Sequence, residues 1–248
     1  MRTRFLPSRP RLPKPLPAKL LAHWPLLENA RDIVGSAHGT PENLKRQGSF
    51  NRARRDYGDY FRKAYDAFQL NEAQQGALKW VTAQPGGPAK VLVISEEWSS
   101  DCRRDVPVVA RLAAAAGLEL RIFPRDGERM STSAAPDPQE QPNADVVTPF
   151  LRKRDGQTFQ SIPVAAFYTK DFQHLYTYLE FPAVYRKDRV VGAIRAPKPG
   201  EGKDEAMERG LRDFFAFQET PIFHMWRSAA ADEIISMLHE RLRVGSLV

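Results

Sequence analysis

The chain has 248 residues and a single cysteine, with 37 Lys and Arg against 30 Asp and Glu. One cysteine cannot build an internal disulfide framework, which fits a reducing compartment, so the cytoplasm is the expected location. Apolar runs such as residues 91–94 and 107–110 fall far short of the roughly 18 to 20 residues that cross a bilayer, so no membrane-spanning helix is expected.

The charge excess sits at the start of the chain. Residues 1–63 hold 14 Lys and Arg against 5 Asp and Glu, while the rest hold 23 against 25. A basic arm of this kind can meet nucleic acid or an acidic partner, but a solubilising extension is the plainer reading. Residues 1–39, rich in proline and arginine, read as a flexible tail, without the apolar stretch of a secretion signal. Thr40-Pro41-Glu42 offers a helix start. From Phe50 to Leu70, Tyr57, Tyr60, Phe61, Ala64, Tyr65 and Phe68 recur at spacings of three and four, which predicts one helix face rather than a stacking platform. Asn71 caps a second helix through about Thr82, stopped by Pro85-Gly86-Gly87-Pro88. Residues 40–84 are thus expected as helices packing on a main domain at 85–248.

The main domain opens with Lys90 to Ser95, an apolar run of the kind that forms a strand buried on both faces. The turn Glu96-Glu97-Trp98-Ser99-Ser100-Asp101-Cys102 follows, then a helix running through residues 107–116 and closed by Gly117. Leu118 to Phe123 is a second strand, giving a β-loop-α-β unit with a right-handed crossover. Residues 124–142 read as a mobile polar loop, 144–152 as a weak helix, Ser161 to Tyr168 as a third strand and Phe172 to Tyr178 as a fourth. Residues 203–217 and 221–243 read as terminal helices. The fold class is α/β, a central mixed sheet flanked by helices.

Most catalytic constellations are missing. The five histidines have no partner at metal-ligand spacing, so no metal is expected, and no cofactor motif stands out. Ser99 and Ser100 lack the glycines of a hydrolase elbow. Glu96 and Glu97, adjacent at a strand end, point opposite ways and would not share a site. The turn at 98–102 is different, because the first turn of a helix offers free N–H groups and the positive end of its dipole, which favour a thiolate. Ser99 is placed at the exposed N-cap. Cys102 is placed about one turn in, with Arg103 and Arg104 beside it and Asp101 and Asp105 opposing them.

Trp98-Ser99-Ser100-Asp101-Cys102 resembles the WCxxC active site of the thioredoxin superfamily, after a buried strand and at the head of a helix. Pro107 stands where such helices carry a kinking proline, and Ser161-Ile162-Pro163 opens a strand as the cis-proline does in that fold. Over about residues 50–185 the chain is similar to the bacterial thioredoxin family proteins. The resemblance implies a thioredoxin-like fold with an N-terminal helical extension and extra C-terminal helices. It implies a redox position at Ser99 and Cys102 and a peptide-binding surface of Trp98, Ser100, Asp101, Ile162 and Pro163.

In that family the first cysteine attacks and the second resolves. Here Ser99 holds the first place, and a hydroxyl cannot start thiol exchange, which needs a thiolate. Ordinary dithiol oxidoreductase activity is therefore not expected. Two readings remain. Cys102 acts as a lone thiol towards a protein thiol or disulfide, glutathione or an oxidant, which requires it to be reachable; or the fold is a redox-inactive scaffold that binds a protein or peptide.

Overall fold

The computed structural model describes residues 58–127 and 130–245. The expected tail at 1–39, the helix start at Thr40 and the stripe before Gly58 lie outside the described residues, as does most of the basic arm. Helix α1 (Gly58–Ala67) and helix α2 (Glu72–Thr82) come first. The apolar stripe of α1 turns inward: Phe61, Ala64 and Tyr65 are buried, with Phe68 just beyond. A reciprocal cap starts α2. Asn71 Oδ1 accepts from the Gln74 N–H at 2.8 Å, and Gln74 Oε1 accepts from the Asn71 N–H at 3.0 Å.

Strand β1 (Lys90–Ser95) leads into helix α3 (Ser100–Ala116) and strand β2 (Glu119–Pro124). Gly117 ends α3 in the left-handed conformation, φ 65°, where a glycine carries no steric cost. Helix α1 packs on α3. β1 and β2 run parallel, with Val91 opposite Leu120 and Ser95 opposite Pro124. Strand β5 (Val164–Tyr168) lies antiparallel to β1, and strand β6 (His174–Leu179) antiparallel to β5, so the order is β2-β1-β5-β6. Every residue of β5, and every residue of β1 after Lys90, is buried, as the unbroken apolar runs demand.

Between β2 and β5 the chain is more structured than its sequence suggests. Only Ala144–Val147 is α-helical (α4), followed by a 3-10 turn at Thr148–Phe150. Arg152, expected at the end of a helix, instead starts a hairpin of β3 (Arg152–Arg154) and β4 (Gln157–Phe159). Asp155 and Gly156, both at positive φ (51° and 77°), form its two-residue turn. The polar loop 124–142 is anchored over its described residues rather than loose: Gln141, 1 % exposed, donates to the Arg125 carbonyl and to Gln160 Oε1, both at 2.8 Å.

Three helices close the described chain: α5 (Lys187–Arg195), α6 (Lys203–Gln218) and α7 (Pro221–Gly245). α5 was not expected; none of its side chains is fully buried, although Val190 and Ile194 stand four residues apart and Val190 packs on the Tyr185–Phe223–Trp226 cluster. α7 packs against α2, α3 and β6, and its Ala230, Ala231, Ile234 and Leu238 are wholly buried. A smaller apolar cluster of Tyr185, Phe223 and Trp226 joins α7 to the segment before α5. Among the described residues no helix is long and apolar enough to cross a membrane. The architecture is a four-stranded mixed sheet flanked by helices, with further helices around it.

Candidate functional site

Because β1 and β2 are parallel neighbours, the turns leaving their carboxyl ends emerge side by side. The first carries Trp98, Ser99 and Cys102, the second Arg125 and Asp126. Ser99 is the N-cap of α3, and its Oγ accepts from the Cys102 N–H at 3.4 Å. Cys102 is therefore the third residue of the helix, about one turn in, as expected. Ser99 is only 7 % exposed, so the expected exposed hydroxyl is instead enclosed.

Cys102 has no exposed surface. Its Sγ accepts from the Glu96 N–H at 3.5 Å. Burial pushes the thiol up to about 11, although hydrogen bonds involving Ser95, the Glu96 backbone and Ser99 pull the other way. Removal from water thus outweighs the helix-start field that favours a thiolate. The flanking arginines offer the sulfur no help, because each is engaged elsewhere. Arg103 donates to the carbonyls of Glu97 (3.2 Å) and Trp98 (3.1 Å) and to Gln218 Oε1 (3.3 Å).

Arg104 is wholly buried between two carboxylates. It meets Asp101 at 2.9 Å and Asp105 at 2.5 Å, and its guanidinium lies 4.8 Å from the centre of the Tyr185 ring and 5.4 Å from that of Phe223. Tyr178 donates to Asp105 Oδ2 at 2.8 Å, and Lys187 pairs with Asp101. The paired carboxylates hold the Arg104 charge firmly on despite its burial. Pro107 sits inside α3, as expected, at a fully buried part of the helix.

Trp98 is held from the second turn. Its indole N–H donates to Asp126 Oδ2 at 3.1 Å, and the Arg125 guanidinium lies 5.1 Å from the ring centre. Arg125 grips Asp126 through two bonds (2.8 and 3.0 Å) and donates to the Gln160 carbonyl at 2.9 Å. Glu96, 4 % exposed, accepts from the Asp126 N–H at 2.8 Å. Gly127 lets the loop close: a Cβ there would lie 1.7 Å from the Glu140 carbonyl oxygen. Sequence reasoning missed Glu96, Arg125, Asp126, Gln141 and Gln160. The one available signal was the expected parallel pairing, which sets residue 125 beside residue 98.

The Ile162-Pro163 bond is cis. Pro163 continues into β5, and its carbonyl accepts from the Glu180 N–H at 2.8 Å. Trp98, Ser99, Asp101 and Ile162 all line one open cleft of about 760 Å³, walled by residues 131–134, by β4 and by Lys187. Ser100 and Pro163 are not among its lining residues. Among the described residues, the backbone N–H and C=O of Ser161 and Ile162 bond to no other group. No group of three or more His, Cys, Asp or Glu side chains among the described residues could hold a metal ion.

Two solved structures are similar over most of the chain. An HIV epitope-scaffold shares 14% identity, with 91% of this chain and 98% of that one covered and a TM-score of 0.46. A protein of unknown function from Pseudomonas aeruginosa shares 13% identity, with 90% of each covered and a TM-score of 0.41. No curated protein matches. The thioredoxin family model matches residues 44–195, well over half of the chain and including the Trp98 turn, α3 and the cis-proline strand, and the chain belongs to that family.

Proposed function

We propose that this protein uses the thioredoxin fold as a binding scaffold, holding an extended peptide segment in the cleft beside Trp98 and Ile162, and that it does not carry out thiol-disulfide exchange. The observation that carries this reading is the backbone of Ser161 and Ile162 beside the cleft, which no other described residue engages. A peptide can add to such an edge as a strand, with main-chain bonds supplying affinity. Trp98, 37 % exposed and fixed by Asp126 and Arg125, offers a rigid apolar plate next to it.

The alternative, a lone reactive thiol at Cys102, has less support. A thiol with no exposed surface and a raised pKa presents neither access nor thiolate to a disulfide, glutathione or peroxide. Isotope-labelled full-length protein titrated with a mixed decapeptide library tests the proposal. Shifts gathered on Trp98, Ser161 and Ile162 support it. Their absence at millimolar peptide, or insulin reduction by the unmodified protein, would overturn it.

A further inference from the structure

The cleft has a chemical bias that narrows what it accepts, and the argument rests on the peptide-groove reading above. Among the described residues four charged ones line it: Asp101, Arg125, Glu180 and Lys187. Each is already neutralised within the protein. Asp101 is shared between Arg104 and Lys187, Arg125 is closed on Asp126, and Glu180 pairs with Arg152. A charged side chain brought into the cleft would shed water without gaining a countercharge, or would have to break one of these pairs.

The remaining polar lining is neutral. Thr132, Ser133, Thr158 and Ser161 line the cleft, and their hydroxyls make no side-chain hydrogen bond among the described residues. Each can donate and accept, so together they suit hydroxyl and amide groups. Two exposed aromatic rings complete the lining: Trp98, 37 % exposed, and Phe159, 42 % exposed. Phe159 ends β4, on the hairpin that forms one wall. The basic residues Arg152, Lys153 and Arg154 occupy the other strand of that hairpin and do not line the cleft.

We infer that the cleft selects an uncharged peptide segment rich in Ser, Thr, Asn or Gln, carrying one aromatic or large aliphatic side chain against Trp98 and Phe159. Specificity arises from hydroxyls without a side-chain partner, and from apolar plates, where the charges lining the cleft among the described residues are all paired. The device is exclusion of charge as much as attraction of neutral groups.

Fluorescein-labelled decapeptides provide the test, with anisotropy read on the full chain at about 50 and about 300 mM salt. Four are compared: a Ser/Thr/Gln peptide with a central Phe, the same peptide with Ser for that Phe, and two versions carrying a pair of Asp or a pair of Lys. The neutral Phe peptide is expected to bind at least about tenfold tighter than the other three, with affinity changing less than about twofold with salt. Phe159→Ser, at an exposed position, should cost that peptide about tenfold while leaving thermal stability unchanged. Equal or tighter binding of either charged peptide, or a steep salt dependence, overturns the charge-exclusion inference but leaves the groove reading standing. If no peptide binds here, and none shifts Trp98, Ser161 or Ile162 in the library titration, both fall together.

Discussion

Ser99 Oγ accepts the Cys102 backbone N–H at 3.4 Å, so the atom that stands in the place of the family's attacking sulfur is engaged as a helix cap. The hydroxyl has a structural task and needs no chemical one. Ser99→Ala should lower stability by about 1 kcal/mol in urea unfolding, with Ser99→Gly costing only a few tenths. A loss below experimental error for both would remove the capping role.

The same pair predicts a gain of chemistry. Ser99→Cys puts two sulfurs three residues apart at the head of α3, and mild oxidation should join them. Mass spectrometry should then show the loss of two hydrogens and no thiol open to alkylation after unfolding. Insulin reduction, which the unmodified protein is expected to lack, should appear with it. A folded variant that keeps two free thiols after oxidation would count against a WCxxC-like geometry.

Cys102 should resist iodoacetamide in the folded protein at neutral pH and react fully once unfolded. Its folded pKa, about 11, lies above the ordinary value of 9.0, because burial penalises the thiolate. The folded state therefore keeps a proton that the unfolded chain gives up. The stability from this group is present in full below pH 9 and is lost as pH rises towards 11. The total is about 3 kcal/mol. Cys102→Ala should abolish the part of the alkaline loss that begins near pH 9, leaving the later part due to buried tyrosines such as Tyr185, whose pKa is raised to about 12. Urea midpoints between pH 7 and 11 check both statements.

Arg104 makes the opposite kind of demand. Removing it leaves Asp105 and Asp101 buried beside no guanidinium, and Arg104→Ala should cost about 3 to 5 kcal/mol at neutral pH. In the variant Asp105 can relieve the strain only by holding a proton, since burial already pushes its pKa up and Arg104 is the main force holding it down. The defect should therefore shrink as pH falls through the carboxylate range. A loss that does not vary with pH would mean the cost is packing alone.

The sheet was legible because its central strands are buried on both faces and so carry no polar interruption. Val91 to Ile94 and Val164 to Phe167 announce themselves for that reason. α7 and α2 were legible from apolar spacing and a cap. The β3–β4 hairpin was not: Arg152-Lys153-Arg154 has no apolar alternation, and only the Asp155-Gly156 turn marked it. At the site, the order Trp98, Ser99, Cys102 and Pro163 was readable because it is local. The Arg125–Asp126 grip on Trp98 was hidden, since two turns 27 residues apart meet only once β1 and β2 pair. Burial of Ser99 was equally hidden, because charged neighbours such as Arg103 and Arg104 mimic a solvated helix start in sequence while both are buried in the fold.

The position of Arg104 also decides how far the domain can be cut down. The family match stops at residue 195, yet Phe223, one of the rings against that guanidinium, belongs to α7, and Gln218, which accepts from the adjacent Arg103, ends α6. A chain shortened to the matched region would open a buried cation to solvent on one flank and strip the aromatic cover from its ion pairs. The last two helices are thus part of the insulation around the head of α3, and a fragment lacking them should lose the cooperative unfolding of the whole rather than merely some of its length.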